Sequence, residues 1–295
     1  MGFIFKKIAI IGTHNNPEIS EKIEYLSHTL IKHSVRIYLE VETAKSLDCC
    51  FGEGYDLKAI AKHCDIAIIV GGDGNFLNAA RSLSLLSKIP IVGINRGKLG
   101  FLTDINPDEL NTRLFDVLEG NYQQEQRIML QAAIKSAVCR PEKTVALNDI
   151  VIAAGQHSRL FQMHVYIDGR YAFDQRADGM IIATPTGSTA HALSAGGPIV
   201  HPGIDAIVMV PMFSHSLNSR PIVLNANSDI QITIGEYNNT KPSLSFDGHM
   251  KLQLSPGDIV KLSRCPKSVT ILHPLDYDYF DSLRSKLHWS KMLFP

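Results

Sequence analysis

Ile66-Ala67-Ile68-Ile69-Val70-Gly71-Gly72-Asp73-Gly74-Asn75 decides the fold of the first third of this chain. Five consecutive apolar residues, four of them β-branched, predict a buried strand, and the glycines end it abruptly. From Phe76 to Leu86 the apolar positions 76, 77, 80, 83 and 86 predict a helix. A lone carboxylate therefore sits on a glycine turn between a buried strand and a helix start. Helix N-termini present unpaired N–H groups and a positive dipole end, which suits phosphate, and glycine lets the backbone approach a ligand closely. An acid in that place repels an anion unless it has chemistry to do, so Asp73 is the first candidate residue.

Outward from this turn the same alternation repeats. A strand at Ile8–Ile11 leads into a helix with apolar Ile19, Ile23, Leu26 and Leu30. A strand at Val35–Leu39, a helical stretch near Leu57–Lys62 and a strand at Ile91–Ile94 complete the series. This order predicts an α/β domain, a doubly wound, Rossmann-like parallel sheet. Ligands of such sheets bind beyond the carboxyl ends of the strands, where Asp73 lies. After about residue 125 the pattern becomes β-rich, with runs at 128–138, 145–152, 162–167, 171–175, 180–184, 207–210, 230–234, 243–246, 251–254, 258–263 and 269–272. Asp168-Gly169, Asp247-Gly248 and Pro256-Gly257 punctuate them as turns. The expected division is an α/β domain over 1–125, a mainly-β, sandwich-like domain over 126–273, and a helical tail over 274–295. That tail is expected to pack back on the first domain through Leu283, Leu287 and Trp289. One helical interruption, Ser188 to Ser194, is expected inside the β domain.

Composition narrows the function classes. Lys plus Arg equals Asp plus Glu at 29 each, so nothing supports general binding to nucleic acid or to an anionic membrane. The five cysteines are odd in number and show no C-x-x-C spacing, which argues against a disulfide framework and a zinc site and fits a reducing compartment. Lys6 and Lys7 interrupt the N-terminal apolar run, so it reads as a first strand rather than a signal peptide. No apolar stretch reaches membrane-spanning length, and a cytoplasmic location is expected.

Familiar nucleotide signatures fail. The dinucleotide fingerprint lacks its third glycine at Leu77, and Gly93-Ile94-Asn95-Arg96-Gly97-Lys98-Leu99 is one residue short of a P-loop and lacks its hydroxyl residue. The chain has no H-E-x-x-H and no G-x-S-x-G elbow. Two other segments stand out. Asp178 to Pro198 runs from a strand into Thr184-Pro185-Thr186-Gly187-Ser188-Thr189, more hydroxyls and N–H groups than capping one helix requires. Asn148-Asp149 opens the Ile150-Val151-Ile152 run and by itself reads as a turn.

Together these segments resemble the bacterial NAD kinase family. The likeness is to its Gly-Gly-Asp-Gly loop, its Asn-acid pair and its long Thr-Pro-Thr-Gly-Ser-Thr-Ala to Leu-Ser-Ala-Gly-Gly-Pro block. Gly93 to Leu102 and, more weakly, Leu287 to Lys291 extend it. The resemblance implies transfer of a phosphoryl group from ATP, or from polyphosphate in some members, to the adenosine 2′-hydroxyl of NAD, with Mg²⁺ accompanying the donor. It makes Asp73 the proton acceptor. It assigns NAD contacts to Gly74, Asn148, Asp149, Arg159, Arg176, Asp178, Thr189, Ala190, His191, Ala192, Leu193, Ser194 and His249, names no metal ligand, and implies a homodimer or homotetramer. Three departures are visible: Asn75 for the common Thr, Asp149 for the usual Glu, and His191 for the usual Tyr. An imidazole ionises near pH 6.5, so His191 is expected to make NAD binding pH-dependent. Two rival readings are a lipid kinase sharing the Gly-Gly-Asp-Gly loop, which leaves the 184–198 block unexplained, and a non-catalytic NAD sensor, against which the intact Asp73 speaks.

Overall fold

A computed structural model of the chain describes residues 2–12, 17–47, 54–96, 100–136, 144–155, 160–236 and 241–289. The chain divides into two compact units, 1–126 with 269–295, and 127–268.

In the first unit, strands β1 (Lys7–Gly12), β2 (Arg36–Leu39), β3 (Ile66–Val70) and β4 (Ile91–Ile94) lie parallel in the order β2-β1-β3-β4. Every residue of β3 and β4 is buried, the reason these strands read as unbroken apolar runs rather than alternating ones. Helix α1 (Pro17–Lys32) joins one face, where Ile19, Ile23, Leu26 and Leu30 form a single cluster with Ile8, Ile10, Ile66 and Ile68. Short helices α2 (Val41–Lys45) and α3 (Leu57–His63) follow, the latter capped by the Asp56 carboxylate accepting from the Ala59 N–H at 2.7 Å.

Helix α4 (Asp73–Leu86) starts three residues earlier than the apolar spacing indicates, with Gly72 as its N-cap, so Asp73 occupies the first helical position. Phe76, Leu77, Ala80 and Leu83 are buried as the spacing predicts, whereas Leu86 is exposed. Gly93 lets α4 and the 102–103 segment approach β4 closely: a Cβ there would lie 2.9 Å from the Thr103 Cα and 3.0 Å from the Phe76 ring. Helix α5 (Phe115–Glu119) precedes the long strand β5 (Tyr122–Lys135), which carries the chain into the second unit.

The second unit contains β6 (Thr144–Ala146), β7 (Asp149–Ala153), β8 (Phe161–Ile167), β9 (Arg170–Ala177), β10 (Gly179–Ala183), the short helix α6 (His191–Ser194), β11 (Ala206–Met212), β12 (Ile222–Asn225), β13 (Ile230–Ile234), β14 (Ser243–Phe246), β15 (Met250–Gln253) and the start of β16 (Ile259–Pro274). One antiparallel sheet runs β12-β11-β10-β7-β14-β15; the other runs β16-β13-β8-β9. Their inner faces share one core: Ile150, Ile152, Met180, Ile182, Met209 and Phe246 from the first, Phe161, Met163, Val165, Ile232 and Val260 from the second. The alternate residues Val151, Ile181, Ala183 and Val208 form another cluster with Ala192 of α6. On their outer face, strands β7 and β10 thus pack partly against α6.

The expected fold class holds, a parallel α/β half followed by a mainly-β sandwich, and the differences have local causes. The 145–152 run is two strands, broken where residues 147–149 turn to meet Asp247. The runs 258–263 and 269–272 are one strand, β16, whose last residues pair with β4 in the first unit. Strand β12 escaped notice because half its side chains are exposed. The expected 188–194 helix is a 3₁₀ turn at Thr186–Thr189 followed by α6. In the tail, α7 (Tyr279–Leu287) buries Leu283, whereas Leu287 is half-buried and Trp289 exposed. Cys64 and Cys265 are buried as small hydrophobes, and burial and Asp65 push the Cys64 thiol up to about 12; Cys49, Cys50 and Cys139 lie outside the described residues. Among the described residues no helix is long and apolar enough to cross a membrane.

Near the end of β16 the buried His273 ring bridges two acids, with Nδ1 2.8 Å from Asp104 and Nε2 3.2 Å from Glu125, and stacks on Tyr277 at 3.9 Å. Burial opposes the charge, but the bonds to Asp104 and Glu125 outweigh it and raise the His273 pKa. The folded state therefore binds this proton more tightly than the unfolded chain does. Its stabilising contribution is complete below the ordinary imidazole value of about 6.5 and is lost as pH rises through the raised folded value. His273→Gln should cost on the order of 3 kcal/mol at pH 6, because it strands a buried carboxylate. Calorimetry of both proteins from pH 6 to 9 should show the gap in melting temperature narrowing; a constant gap contradicts the assignment.

Candidate active site

The first cluster grows out of the end of β3. The Gly71 N–H donates to the Ile94 carbonyl at 2.8 Å and closes the strand end. Built Cβ atoms on Gly72 and Gly74 meet nothing within 4 Å, so these glycines leave space open rather than fill it. Asp73 turns its carboxylate to the 100–103 segment. Its Oδ2 accepts from the Phe101 N–H at 2.9 Å, and its Oδ1 accepts from the Leu102 N–H and the Thr103 hydroxyl, each at 3.2 Å. A Cβ on Gly100 would collide with both the Asp73 carboxylate and the Thr103 hydroxyl, so only glycine fits. A cavity of about 510 Å³ opens beside the carboxylate, lined by Gly72, Asp73, Gly74, Asn75, Arg96, Gly100, Thr103 and Lys286. It combines an acid, a helix N-terminus and two cationic side chains, the furniture of a polyphosphate site. Arg96 lies inside the Gly93–Leu102 segment and Lys286 just before the Leu287–Lys291 one, and the sequence singles out neither; both lie away from Asp73 along the chain.

The second cluster centres on Asp247. Its carboxylate accepts from three successive backbone N–H groups: Leu147 at 3.1 Å, Asn148 at 2.7 Å and Asp149 at 3.2 Å. The Asp247 N–H in turn donates to the Asp149 carbonyl at 3.0 Å. This grip presents the Asn148 and Asp149 side chains at the start of β7. Asn148 Oδ1 is buried without a hydrogen-bond partner among the described residues, a rare state for a buried acceptor. Asp149 is 1% exposed, and His191 Nδ1 lies 3.2 Å from its Oδ2. Burial pushes the Asp149 carboxyl up, the His191 ring pulls it down and Asp247 pushes it further up, to about 6.

The hydroxyl-rich segment divides into two roles. Thr184 donates to the Leu147 carbonyl at 2.6 Å, and Arg127 bonds the Thr186 hydroxyl at 3.2 Å. Ser188 donates to the Pro185 carbonyl at 2.6 Å and accepts from the Val200 N–H at 3.0 Å. These three hydroxyls are buried and shape the turn. The excess over capping that marked the segment is thus spent inward. Open space begins at His191: a cavity of about 540 Å³ runs over the outer face of β7 and β10, lined by His191, Ser194, Val151, Ile181, Met212 and Phe213 among others. Phe213 is 80% exposed and holds φ of +46°, a strained setting for an aromatic residue that no sequence signal marks.

His191 and Ser194 line this cavity, and the His191 ring meets the buried Asp149 carboxylate behind it; Asn148 precedes Asp149 in the chain. Thr189 is half-buried and bonds the Thr186 carbonyl, Ala190 and Leu193 are partly buried, and Ala192 is buried in the apolar cluster. Asp178 lies at the other end of β10, roughly 17 Å away by strand rise. Its Oδ1 accepts from the Leu160 N–H at 2.9 Å and its N–H donates to the Met212 carbonyl. Arg176 is exposed on β9, and His249 is exposed in the turn after β14. Gly74 lies in the first turn of α4. Arg159 lies outside the described residues.

The chain matches the model of the ATP-NAD kinase N-terminal domain over residues 8–122 and that of the ATP-NAD kinase C-terminal domain over 147–273. It is 47% identical to an NAD kinase of Francisella tularensis subsp. novicida over the full length of both chains. It is 43% identical to an NAD kinase of Marinobacter nauticus, covering 97% of each. Among solved structures, a yeast NADH kinase complexed with NADH superposes with TM-score 0.87 at 26% identity, covering 97% of this chain and 88% of that one. An Archaeoglobus fulgidus NAD kinase in complex with ATP shares the fold, with TM-score 0.73 at 22% identity, covering 95% of this chain and 99% of that one.

The Asp247 grip predicts a large effect from a residue the sequence marks only as a turn. Asp247→Ala leaves three N–H groups without their charged acceptor and should lower stability by about 3 kcal/mol in urea titration. A loss under about 1 kcal/mol would mean the 147–149 backbone is held by something else.

Proposed function

The chain belongs to the NAD kinase family, and from that premise we propose that it moves the γ-phosphoryl group of ATP to the adenosine 2′-hydroxyl of NAD, with Asp73 as proton acceptor. The observation that carries this reading is the Asp73 carboxylate, fixed by the 101–103 donors at the first turn of α4 beside a cavity with Arg96 and Lys286. A general base needs to be placed within hydrogen-bond reach of its proton, and phosphoryl transfer depends on positioning and charge more than on covalent help from the protein. The first turn of α4, Arg96 and Lys286 would receive donor phosphates, from ATP or polyphosphate. Among the described residues no group of three His, Cys, Asp or Glu side chains is arranged to hold a metal ion. Mg²⁺ would arrive with the donor phosphates, whose charge it neutralises.

The second unit supplies the acceptor's contacts in this reading. Asn148 Oδ1 takes an N–H or O–H of the nucleoside, and Asp149 accepts from ribose hydroxyls. The cavity walled by His191, Ser194 and Phe213 takes an aromatic ring, with Thr189 to Ser194 around it. Asp178, Arg176, Arg159 and His249 would bind the more distant parts of the dinucleotide, and Gly74 would lie against it. Exposed Phe213, Leu217, Val223 and Tyr171 on this unit fit burial in a homodimer or homotetramer. We place the enzyme in the cytoplasm, free of membrane and nucleic acid, in keeping with its neutral charge. The lipid-kinase alternative leaves both family matches without explanation.

Two outcomes follow. Purified protein with ATP, Mg²⁺ and NAD should form NADP, and Asp73→Asn should lower the rate by about a hundredfold or more with NAD still bound. Retention of most of that rate would remove Asp73 from the chemistry. Second, the Asp149 carboxyl ionises near pH 6, and the ionised form is acceptor-only on both oxygens and forms the stronger, charge-assisted bonds to hydroxyl donors. NAD affinity measured by calorimetry should rise with pH through about 6 and flatten in Asp149→Asn; an unchanged slope in the variant assigns the dependence elsewhere.

A further inference from the structure

The two oxygens of Asp73 are not equivalent. Oδ1 receives two donors, the Leu102 N–H and the Thr103 hydroxyl, whereas Oδ2 receives one, the Phe101 N–H. Thr103 itself is fully buried, and its carbonyl accepts from the Gly100 N–H at 3.0 Å, so the hydroxyl is carried on a closed loop rather than on a mobile chain. Gly100 tightens the arrangement further, since any side chain there would strike both the carboxylate and this hydroxyl. A carboxylate oxygen offers about two lone-pair directions. Among the described residues those of Oδ1 are filled, and one of Oδ2 remains.

We propose that Thr103 is a positioning residue for phosphoryl transfer, holding Asp73 so that Oδ2 alone faces the acceptor hydroxyl. This rests on the reading of Asp73 as proton acceptor. In the step, the acceptor O–H bond breaks and its proton passes to Asp73 Oδ2, while an oxygen lone pair forms the new bond to the γ-phosphorus. The bond from that phosphorus to the β,γ-bridging oxygen breaks, and its electron pair leaves on ADP. Thr103 acts through Asp73 rather than on the reacting atoms. It fixes the carboxylate rotation about the Cβ–Cγ bond, which the two N–H groups alone leave looser.

A positioning role separates from a structural one by which kinetic constant moves and by rescue. Thr103→Val keeps the shape and deletes the donor, and Thr103→Ser restores a donor in the same place. Single-turnover NADP formation with enzyme in excess reads the chemical step. The maximal rate of Thr103→Val should fall by about ten- to a hundredfold, the worth of one hydrogen bond to a charged group. The half-saturating NAD and ATP concentrations should stay within about twofold, with Thr103→Ser recovering most of the rate. An unaltered rate in Thr103→Val, a change confined to half-saturation, or no recovery in Thr103→Ser would overturn the proposal. Asp73→Asn in the same series keeps the two claims apart. If it retains activity, the proton-acceptor reading fails; if it is inactive while Thr103→Val is not, only the role of Thr103 fails.

Discussion

A carboxylate drawn out of water must collect its hydrogen bonds from groups that cannot move away, and in this chain they are backbone N–H groups of distant loops. Asp73 draws in the 101–103 segment, and Asp247 draws in 147–149. Hydrogen bonds to an ionised acceptor are stronger than neutral ones, so each acid fixes the loop it holds as firmly as the loop fixes it. The glycines follow from the same constraint. Gly100 is bare because the Asp73 carboxylate fills the space its side chain would take, and the Gly93 Cα lies flat so that the 102–103 backbone can approach.

Asp149 shows what happens without such a grip. It is more deeply buried than Asp73 or Asp247, yet its carboxylate meets only the His191 ring among the described residues, and its pKa climbs to about 6. An ionised Asp149 at neutral pH is therefore costly to the fold, on the order of 3 kcal/mol for a shift from 3.8 to about 6. Such a cost is the usual mark of a group kept for binding rather than for stability. The pairing with a histidine, where the resemblance leads one to expect a glutamate and a tyrosine, gives this chain an acid and a base in direct contact at the edge of the His191 cavity.

How much of this was legible depended on whether the signal was local. Ile66–Val70 and the α4 spacing gave the parallel sheet and the place of Asp73 directly, because apolar run, glycine and helix period adjoin in sequence. The 178–198 block was visible as a hydroxyl cluster, but not that Thr184, Thr186 and Ser188 face inward, since only the neighbouring carbonyls at 147, 185 and 200 reveal it. Asp247 read as a hairpin turn because its partners lie about a hundred residues upstream. Thr103, Arg96 and Lys286 were hidden for the same reason. Phe213 carries its signal in a backbone angle, which composition does not encode.

In the proposed reaction one oxygen of Asp73 stays free for the acceptor hydroxyl. A crystal structure of the wild-type protein with NAD, Mg²⁺ and a non-hydrolysable ATP analogue tests it most directly. The account predicts the adenosine 2′-oxygen about 3 Å from Asp73 Oδ2, with the bonds from Leu102 and Thr103 to Oδ1 intact. A 2′-oxygen lying against Oδ1, or out of reach of both oxygens while the 101–103 grip persists, would contradict it.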